Sequence, residues 1–191
     1  RGGKMLVSVN ISAYNEQDYL SEIFDSLTKQ TYPLKNIEVV LVNAMSTDNT
    51  RTLMDQFKNE NEHLFYGVKI LDNPRKTLNT GLNLGFKNSE GECFLKVDAH
   101  SQIPINFIEA NVKVIESGQK VCGGKRPTIV QAEDNFSKTL NIVEESALGS
   151  SIANYRKGDT SRYVDSVFQG MYHRDVVDTV GYFDEKLTRT E

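Results

Sequence analysis

The sequence has few cysteines, no long apolar run and little net charge, and each shortage excludes a class of protein. Its two cysteines, Cys93 and Cys122, are too few for a disulfide framework, and their apolar surroundings indicate buried, reduced thiols in a cytosolic protein. No apolar stretch approaches the roughly 20 residues of a membrane-spanning helix, and no segment resembles a secretory signal. A net charge of −4 argues against a nucleic-acid partner, because phosphate binding needs a concentrated basic surface.

The composition is that of a soluble globular protein, with 38% hydrophobic and 25% charged residues. A chain of 191 residues is long enough for one well-cored domain, or for most of a larger one. We interpret residues 1–5 as a remnant that precedes the domain.

Strands and helices are predicted to alternate along the first two thirds of the chain. Val7, Val9 and Ile11 alternate with small polar residues, which predicts a strand over 6–12. The β-branched run over 37–42 predicts a strand buried on both faces. Further strands are predicted over 68–71 and 93–97, and helices over 19–27, from 46 to 57, over 78–86 and from Pro104 to Ile115. This β–α repetition predicts an α/β fold with a mostly parallel sheet and helices on both faces.

Two features of the pattern stand apart from this repetition. Gly81 and Gly85 would weaken an isolated helix, so their presence predicts that another segment packs closely against them. The half after Val121 is less regular, with an amphipathic stretch over 135–148, a predicted strand over 164–168 and a short helix ending at Gly181.

A polar cluster follows each of the first four predicted strands. Ligands of open parallel sheets bind beyond the carboxyl ends of the strands, so these clusters predict one shared site. The clusters are Tyr14-Asn15-Glu16, Asn43-Ala44-Met45-Ser46, 72–76 and Asp98-Ala99-His100-Ser101.

Asp98 and His100 are candidate ligands for a divalent cation, because two ligand-type residues directly after a buried strand can face one ion. The alternative is that both are structural: Asp98 would cap a turn, and His100 would be an ordinary surface histidine. Arg75 and Lys76 are either a diphosphate clamp or a solvated basic pair. Three acidic residues also have structural interpretations: Glu16 as support for a first helical turn, Asp48 as a helix-start residue and Asp72 as a turn former.

Five motifs, in order, carry a resemblance to a known family. They are VNISAYNE, VVLVNAMSTDNT, GLNLGFKNSEGECFLKVDAHS, VCGGKRP and GYFDEKLTRTE. The sequence from Val7 to Glu191 resembles family 2 glycosyltransferases of the GT-A fold. It is similar in particular to bacterial exopolysaccharide transferases of the succinoglycan type, which have Asp-Ala-His where others have Asp-x-Asp.

The resemblance implies an inverting displacement in which an acceptor hydroxyl attacks the anomeric carbon of a nucleoside-diphosphate sugar, with UDP as the expected nucleotide. It implies Mn²⁺ or Mg²⁺ as cofactor, and a glycan or lipid-linked oligosaccharide as acceptor. It places the protein at the inner face of the bacterial plasma membrane, with membrane contact only through segments missing from this chain. About 6–118 would form the nucleotide-binding half of a single domain, and about 119–191 an incomplete donor-sugar and acceptor half.

The resemblance also implies roles for individual residues. The metal would be held directly by His100, and Asp98 would contact the ribose and the metal-bound phosphate. The remaining positions are Ala13, Tyr14 and Glu16 beside the base and ribose, Asn43 at the base edge, Arg75 or Lys76 at the diphosphate, and Gln169 and Gly170 in the donor-sugar and acceptor region.

The sequence departs from the family pattern at three places. Asn43 stands where an acidic residue is usual, which leaves the identity of the base open. His100 replaces a carboxylate, so metal affinity should fall at acidic pH. The expected catalytic base is an Asp after a Thr-Glu pair, and here Thr190-Glu191 is the last pair, so Glu191 is the one candidate present.

Two other functions compete with a transferase. A nucleotidyltransferase that makes nucleotide sugars shares the layout and the metal, but the loop after the first strand has no glycine. A non-catalytic nucleotide-sugar-binding module, or a lapsed transferase, fits Asn43, His100 and the absent base. Dehydrogenases and P-loop enzymes are disfavoured because their glycine motifs are absent.

Overall fold

The computed structural model of the chain describes residues 3–124 and 167–187. Within these ranges it has six strands and five α-helices. The strands are β1 (Val7–Ala13), β2 (Ile37–Asn43), β3 (Gly67–Asp72), β4 (Cys93–Lys96), β5 (Val121–Gly124) and β6 (Phe168–His173). The helices are α1 (Leu20–Thr28), α2 (Thr50–Asn61), α3 (Leu78–Lys87), α4 (Phe107–Glu116) and α5 (Arg174–Val180).

The chain divides into two compact units, one formed by Arg1–Cys122 with Gln169–Glu191 and the other by Gly123–Phe168. The first unit contains the site considered below. The predicted amphipathic stretch over 135–148 and most of the predicted strand over 164–168 lie outside the described residues.

The sheet has the strand order β3-β2-β1-β4-β6-β5. β1 pairs in parallel with both β2 and β4, β2 pairs in parallel with β3, and β6 runs antiparallel to β4. The prediction of a mostly parallel α/β sheet is therefore confirmed. Because the order reverses direction between β1 and β4, the carboxyl ends of these two strands form the switch point at which such sheets bind ligands.

The two faces of β1 meet different partners. Its apolar side chains belong to one buried cluster with α1, α2 and α4, in which Phe24 and Phe57 stack with ring centroids 4.3 Å apart. Its polar side chains face α3, where a Cβ at Gly81 would overlap Ser12 Oγ and one at Gly85 would overlap the carboxamide of Asn10. The predicted close packing at these glycines is confirmed, and it brings α3 and the loop before it near the carboxyl end of β1.

All seven residues of β2 are buried, as predicted for a strand covered on both faces. The chain turns after α5 at Gly181, whose φ of +90° suits glycine. Among the residues described, no helix has both the length and the apolar character required to cross a membrane.

Of two predicted helix starts, one is confirmed and one is wrong. Asp48, predicted as a helix-start residue, accepts the Thr50 N–H at 2.9 Å just before α2 begins at Thr50. α4 begins at Phe107 rather than at Pro104. The Pro104 carbonyl accepts from Phe107 N at 2.9 Å and from the Gln30 amide at 2.8 Å, so Pro104 is the first residue of a tight turn that precedes the helix.

Both cysteines are free thiols, with Cys93 buried and Cys122 half-buried. Burial raises the pKa of Cys93 to about 12 and that of Cys122 to about 11. Both thiols therefore stay protonated at pH 8, and the thiolate is the form that reacts. We expect iodoacetamide at pH 8 to label the folded protein about 100-fold more slowly than the urea-unfolded protein, as followed by mass spectrometry. Labelling at the same rate in both states would contradict the assigned burial.

Candidate functional site

The loops after β1 and β2 are joined by side-chain hydrogen bonds. Ser46 Oγ accepts from Asn15 N at 3.1 Å, and Asn15 Oδ1 accepts from Thr47 N at 2.8 Å. The hydroxyl of Thr50, at the start of α2, accepts from Glu16 N at 2.8 Å. The two loops therefore form one structure at the carboxyl edge of the sheet.

The ends of β2 and β3 are joined by a charged network. Asn43 donates its amide to Asp72 Oδ1 at 2.9 Å, and Asn43 Oδ1 accepts from Ser46 N at 3.0 Å. Arg51 of α2 donates to both oxygens of Asp72, at 2.7 and 2.8 Å, and through Nε to Asp55. The Asn43 amide and the Arg51 guanidinium lower the pKa of Asp72, so this carboxyl is ionised at neutral pH.

Four non-glycine residues of the described ranges have positive φ, and all of them lie in this part of the fold. Asn15, Met45 and Lys76 have φ of 55°, 59° and 59°, and Gln169 has φ of 49°. Such backbone conformations cost of order 1–3 kcal/mol each and cluster at functional sites. Three follow the carboxyl ends of β1, β2 and β3, and the fourth is the second residue of β6.

Asp98 and His100 follow β4 at the same edge. Asp98 is half-buried, whereas His100 is 60% exposed, and its Nδ1 lies 3.4 Å from Glu16 Oε1. The Tyr19 ring meets the His100 ring edge-on, with centroids 6.4 Å apart. The structure thus brings together the predicted cluster after β4 and the predicted Glu16 after β1.

Asp98 and His100 fit a cation that is coordinated partly by a bound ligand rather than by protein side chains alone. In the part of the chain that the structure describes, no group of three or more His, Cys, Asp and Glu side chains could hold a metal ion. Mg²⁺ and similar ions commonly take one or two protein ligands, with phosphate oxygens and water completing the shell. Asp98 and the accessible ring of His100 can supply that small number of ligands.

Gln169 and Gly170 lie in β6, next to β4 in the sheet. The Gln169 amide donates to Ser101 Oγ at 2.7 Å, and Ser101 in turn donates to the Asp98 carbonyl at 2.6 Å. Gln169 therefore braces the turn that carries Asp98. Gly170 is buried, and a Cβ there would meet the ring of Tyr172.

The two basic residues after β3 have partners within the chain. Arg75 forms an ion pair with Glu185, which follows α5. The Lys76 ammonium lies over the Tyr14 ring, 5.8 Å from its centroid, and half of Tyr14 is exposed.

Ala13 is buried at the end of β1, where its carbonyl accepts from Ala44 N at 2.9 Å. Glu191 lies outside the described residues.

Helix α3 also holds the segment that follows α5. Asn83 donates to the Phe183 carbonyl at 2.9 Å and accepts from Phe183 N at 3.0 Å, and Asn79 donates to the Asp184 carbonyl at 2.8 Å. No sequence pattern predicts this contact, because Asn83 and Phe183 are 100 positions apart.

The sequence likewise does not predict the contact between Arg51 and Asp72 at the carboxyl edge of the sheet. The expectation that Asp72 is only a turn former is wrong, since its carboxylate joins the ends of β2 and β3. A sequence signal existed for the Arg51–Asp55 pair, which is spaced i,i+4 on α2, but none existed for the contact with Asp72.

The sequence model for "Glycosyl transferase family 2" matches residues 8–181, which is most of the chain. The chain belongs to this family. Among curated relatives, it is 24% identical over 174 residues to the dolichyl N-acetyl-alpha-D-glucosaminyl phosphate 3-beta-D-2,3-diacetamido-2,3-dideoxy-beta-D-glucuronosyltransferase of Methanococcus voltae. That match covers 90% of this chain and 54% of the relative, so the chain spans about half the relative's length.

Solved structures of similar fold include S. aureus TarS in complex with UDP, with a TM-score of 0.72 and 23% identity over 97% of this chain and 52% of that one. A mannosyltransferase from Pyrobaculum calidifontis in complex with GDP-Man and Mn²⁺ gives a TM-score of 0.69 and 21% identity over 95% of this chain and 48% of that one. These likenesses confirm the predicted GT-A fold. The narrower resemblance to succinoglycan transferases stays a prediction.

Proposed function

We propose that this family 2 chain binds the donor of an inverting, metal-dependent glycosyltransferase. The donor would be a nucleoside-diphosphate sugar, with UDP favoured, and the acceptor an oligo- or polysaccharide of a bacterial exopolysaccharide or other surface glycan. The supporting observation is the joining of four polar loops at the carboxyl edge of the sheet, three of them with a residue at positive φ. Strained, interlinked loops at a switch point are typical of a built binding site.

In this proposal the nucleotide lies along the edge, from the ends of β2 and β3 towards the end of β4. Tyr14 and Glu16 border the base and ribose, and Asp98 with His100 holds the cation at the diphosphate. A bound divalent cation neutralises the negative charge that develops on the departing nucleoside diphosphate. Arg75 and Lys76 are the proposed diphosphate clamp, and a diphosphate would have to compete with Glu185 for Arg75.

The transfer itself exchanges one bond for another at the anomeric carbon. The acceptor hydroxyl attacks this carbon, the bond to the diphosphate oxygen breaks, and a base takes the hydroxyl proton. We keep Glu191 as the candidate base, and Gln169 and Gly170 as the region of the donor sugar and acceptor. A lipid-linked oligosaccharide at the inner face of the plasma membrane is an acceptor consistent with the proposal.

The metal part of the proposal is tested by calorimetry of UDP binding with and without Mn²⁺. We expect Mn²⁺ to strengthen UDP binding to the wild type by roughly tenfold, and His100→Ala to lose most of that gain, because the exposed imidazole supplies a ligand. His63→Ala is the matched control, since His63 is exposed and belongs to a short helical turn before β3. Equal affinities with and without Mn²⁺ in all variants would refute the metal site.

The competing function is a nucleotide-sugar-binding module without turnover. It is separated from a transferase by incubating the protein with a UDP-sugar, Mn²⁺ and candidate acceptors and measuring released UDP. Metal-dependent donor binding with no release under any condition would favour the module. The family match removes the nucleotidyltransferase alternative.

A further inference from the structure

The order of polar groups along the sheet edge follows the strand order β3-β2-β1-β4. Asp72 ends β3, Asn43 ends β2, Tyr14 follows β1, and Asp98 follows β4. The register places Ala13 beside Asn43 and Asn43 beside Asp72. If the cation and diphosphate lie at the β4 end, as the proposed function requires, the opposite end of the nucleotide lies towards β2 and β3.

At that opposite end, Asn43 is poorly placed to contact a ligand. The residue is only 5% exposed. Its oxygen accepts from Ser46 N, and its nitrogen donates to Asp72 Oδ1. Asn43 therefore holds the loop and orients its neighbour.

Asp72 has the opposite properties. Its side chain is 50% exposed, and Arg51 Nη1 donates to both of its oxygens, while Arg51 Nε donates to Asp55. An ionised carboxylate can accept about four hydrogen bonds, and three come from Asn43 and Arg51. The exposed carboxylate thus keeps acceptor capacity for a ligand.

An exposed aromatic ring follows β1, two strands away from this carboxylate. Tyr14 is half-exposed, and Lys76, from the loop that begins after Asp72, covers part of its ring. Neighbouring strands are about 4.8 Å apart, so the ends of β1 and β3 are separated by about 10 Å, with Asn43 between them. An aromatic face and a hydrogen-bond acceptor are two elements with which proteins recognise single bases.

We propose that Asp72 reads the hydrogen-bonding edge of the donor nucleobase and selects bases that carry a ring N–H. Uracil donates from N3–H and guanine from N1–H, so both suit a fixed carboxylate. Cytosine and adenine present a ring-nitrogen lone pair at the same position, which a carboxylate repels. This inference rests on the proposed function, and it replaces the expectation that Asn43 contacts the base edge.

The test is calorimetry of UDP, GDP, CDP and ADP binding in the presence of Mn²⁺, with wild type and Asp72→Asn. We expect the wild type to prefer UDP or GDP over CDP and ADP by roughly tenfold or more, as a hydrogen bond to a charged group implies. An amide can accept from uracil or donate to cytosine, so Asp72→Asn should reduce the preference to within about threefold. Asp55→Asn is the control that disturbs Arg51 from its other side, and it should keep the wild-type preference.

A change in the ligand gives a second measurement that does not depend on how well the variant folds. N3-methyl-UDP lacks the ring N–H, so its affinity for the wild type should fall by the same factor that separates UDP from CDP. Asp72→Asn should lose less affinity on methylation than the wild type does.

Three outcomes would overturn the inference. The first is an unchanged base preference in Asp72→Asn. The second is an equal loss of affinity for all four nucleotides in Asp72→Asn, which would indicate a contact with ribose or a general charge effect. The third is an unchanged affinity of the wild type for UDP after N3-methylation. The proposed function would fail separately, if none of the four nucleoside diphosphates bound the wild type at all.

Discussion

Replacing Phe94 with alanine is expected to lower the free energy of unfolding by about 3–5 kcal/mol. Phe94 lies in β4 and is 1% exposed. Its ring stacks on Phe86 of α3 with centroids 4.7 Å apart, and the Arg174 guanidinium lies 4.5 Å from its centroid. Alanine would leave a cavity between the sheet, α3 and α5, and would remove both ring contacts. Urea unfolding followed by circular dichroism measures the change.

Tyr182→Ala is the control for this substitution. Tyr182 is also an aromatic residue under a cation, with Lys87 5.0 Å from its ring centroid, but it is 46% exposed. We expect a loss of no more than about 1 kcal/mol there. If Phe94→Ala lowered the free energy of unfolding as little as Tyr182→Ala does, the described packing of β4 against α3 would be contradicted.

Asp98→Asn is expected to lower the rate of donor turnover by about 1000-fold. The proposal assigns this carboxylate to the cation and ribose end of the donor, where loss of about 4 kcal/mol of charge stabilisation corresponds to that factor. The measurement is the initial rate of UDP release from a UDP-sugar with Mn²⁺, together with the melting temperature, which should not change much because Asp98 is only half-buried.

Asp178→Asn removes a carboxylate of the same kind from an exposed position on α5. It should leave both turnover and melting temperature as in the wild type. A turnover rate in Asp98→Asn within about threefold of the Asp178→Asn rate would remove Asp98 from the proposed machinery.

The strands and the edge that carries the site could be predicted because both depend on local patterns. The alternation in β1, the continuous apolar run of β2 and the polar residues after each strand are visible within windows of about ten residues. The rule that ligands bind beyond the carboxyl ends of parallel strands then placed Tyr14, Asn43, Asp98 and His100 at one edge, where the structure has them.

What could not be predicted depends on contacts between distant residues. Arg51 and Asp72 are 21 positions apart, and Arg75 and Glu185 are 110 apart, so neither pair leaves a spacing signal. The positive φ angles could not be predicted either. Asn is a common residue at positive φ, but Lys76 and Gln169 are of types that carry no such preference, and the surrounding structure imposes their conformation.

The interleaved strand order has a consequence for how the protein is made. β4 has β1 on one side and β6 on the other, yet β6 is synthesised more than 70 residues after β4. Until residues 168–173 leave the ribosome, one edge of β4 has no native partner, and an open strand edge is a template for pairing with other chains. We therefore expect nascent chains that end before β6 to need chaperone protection of this edge, and completion of the sheet to be a late step in folding.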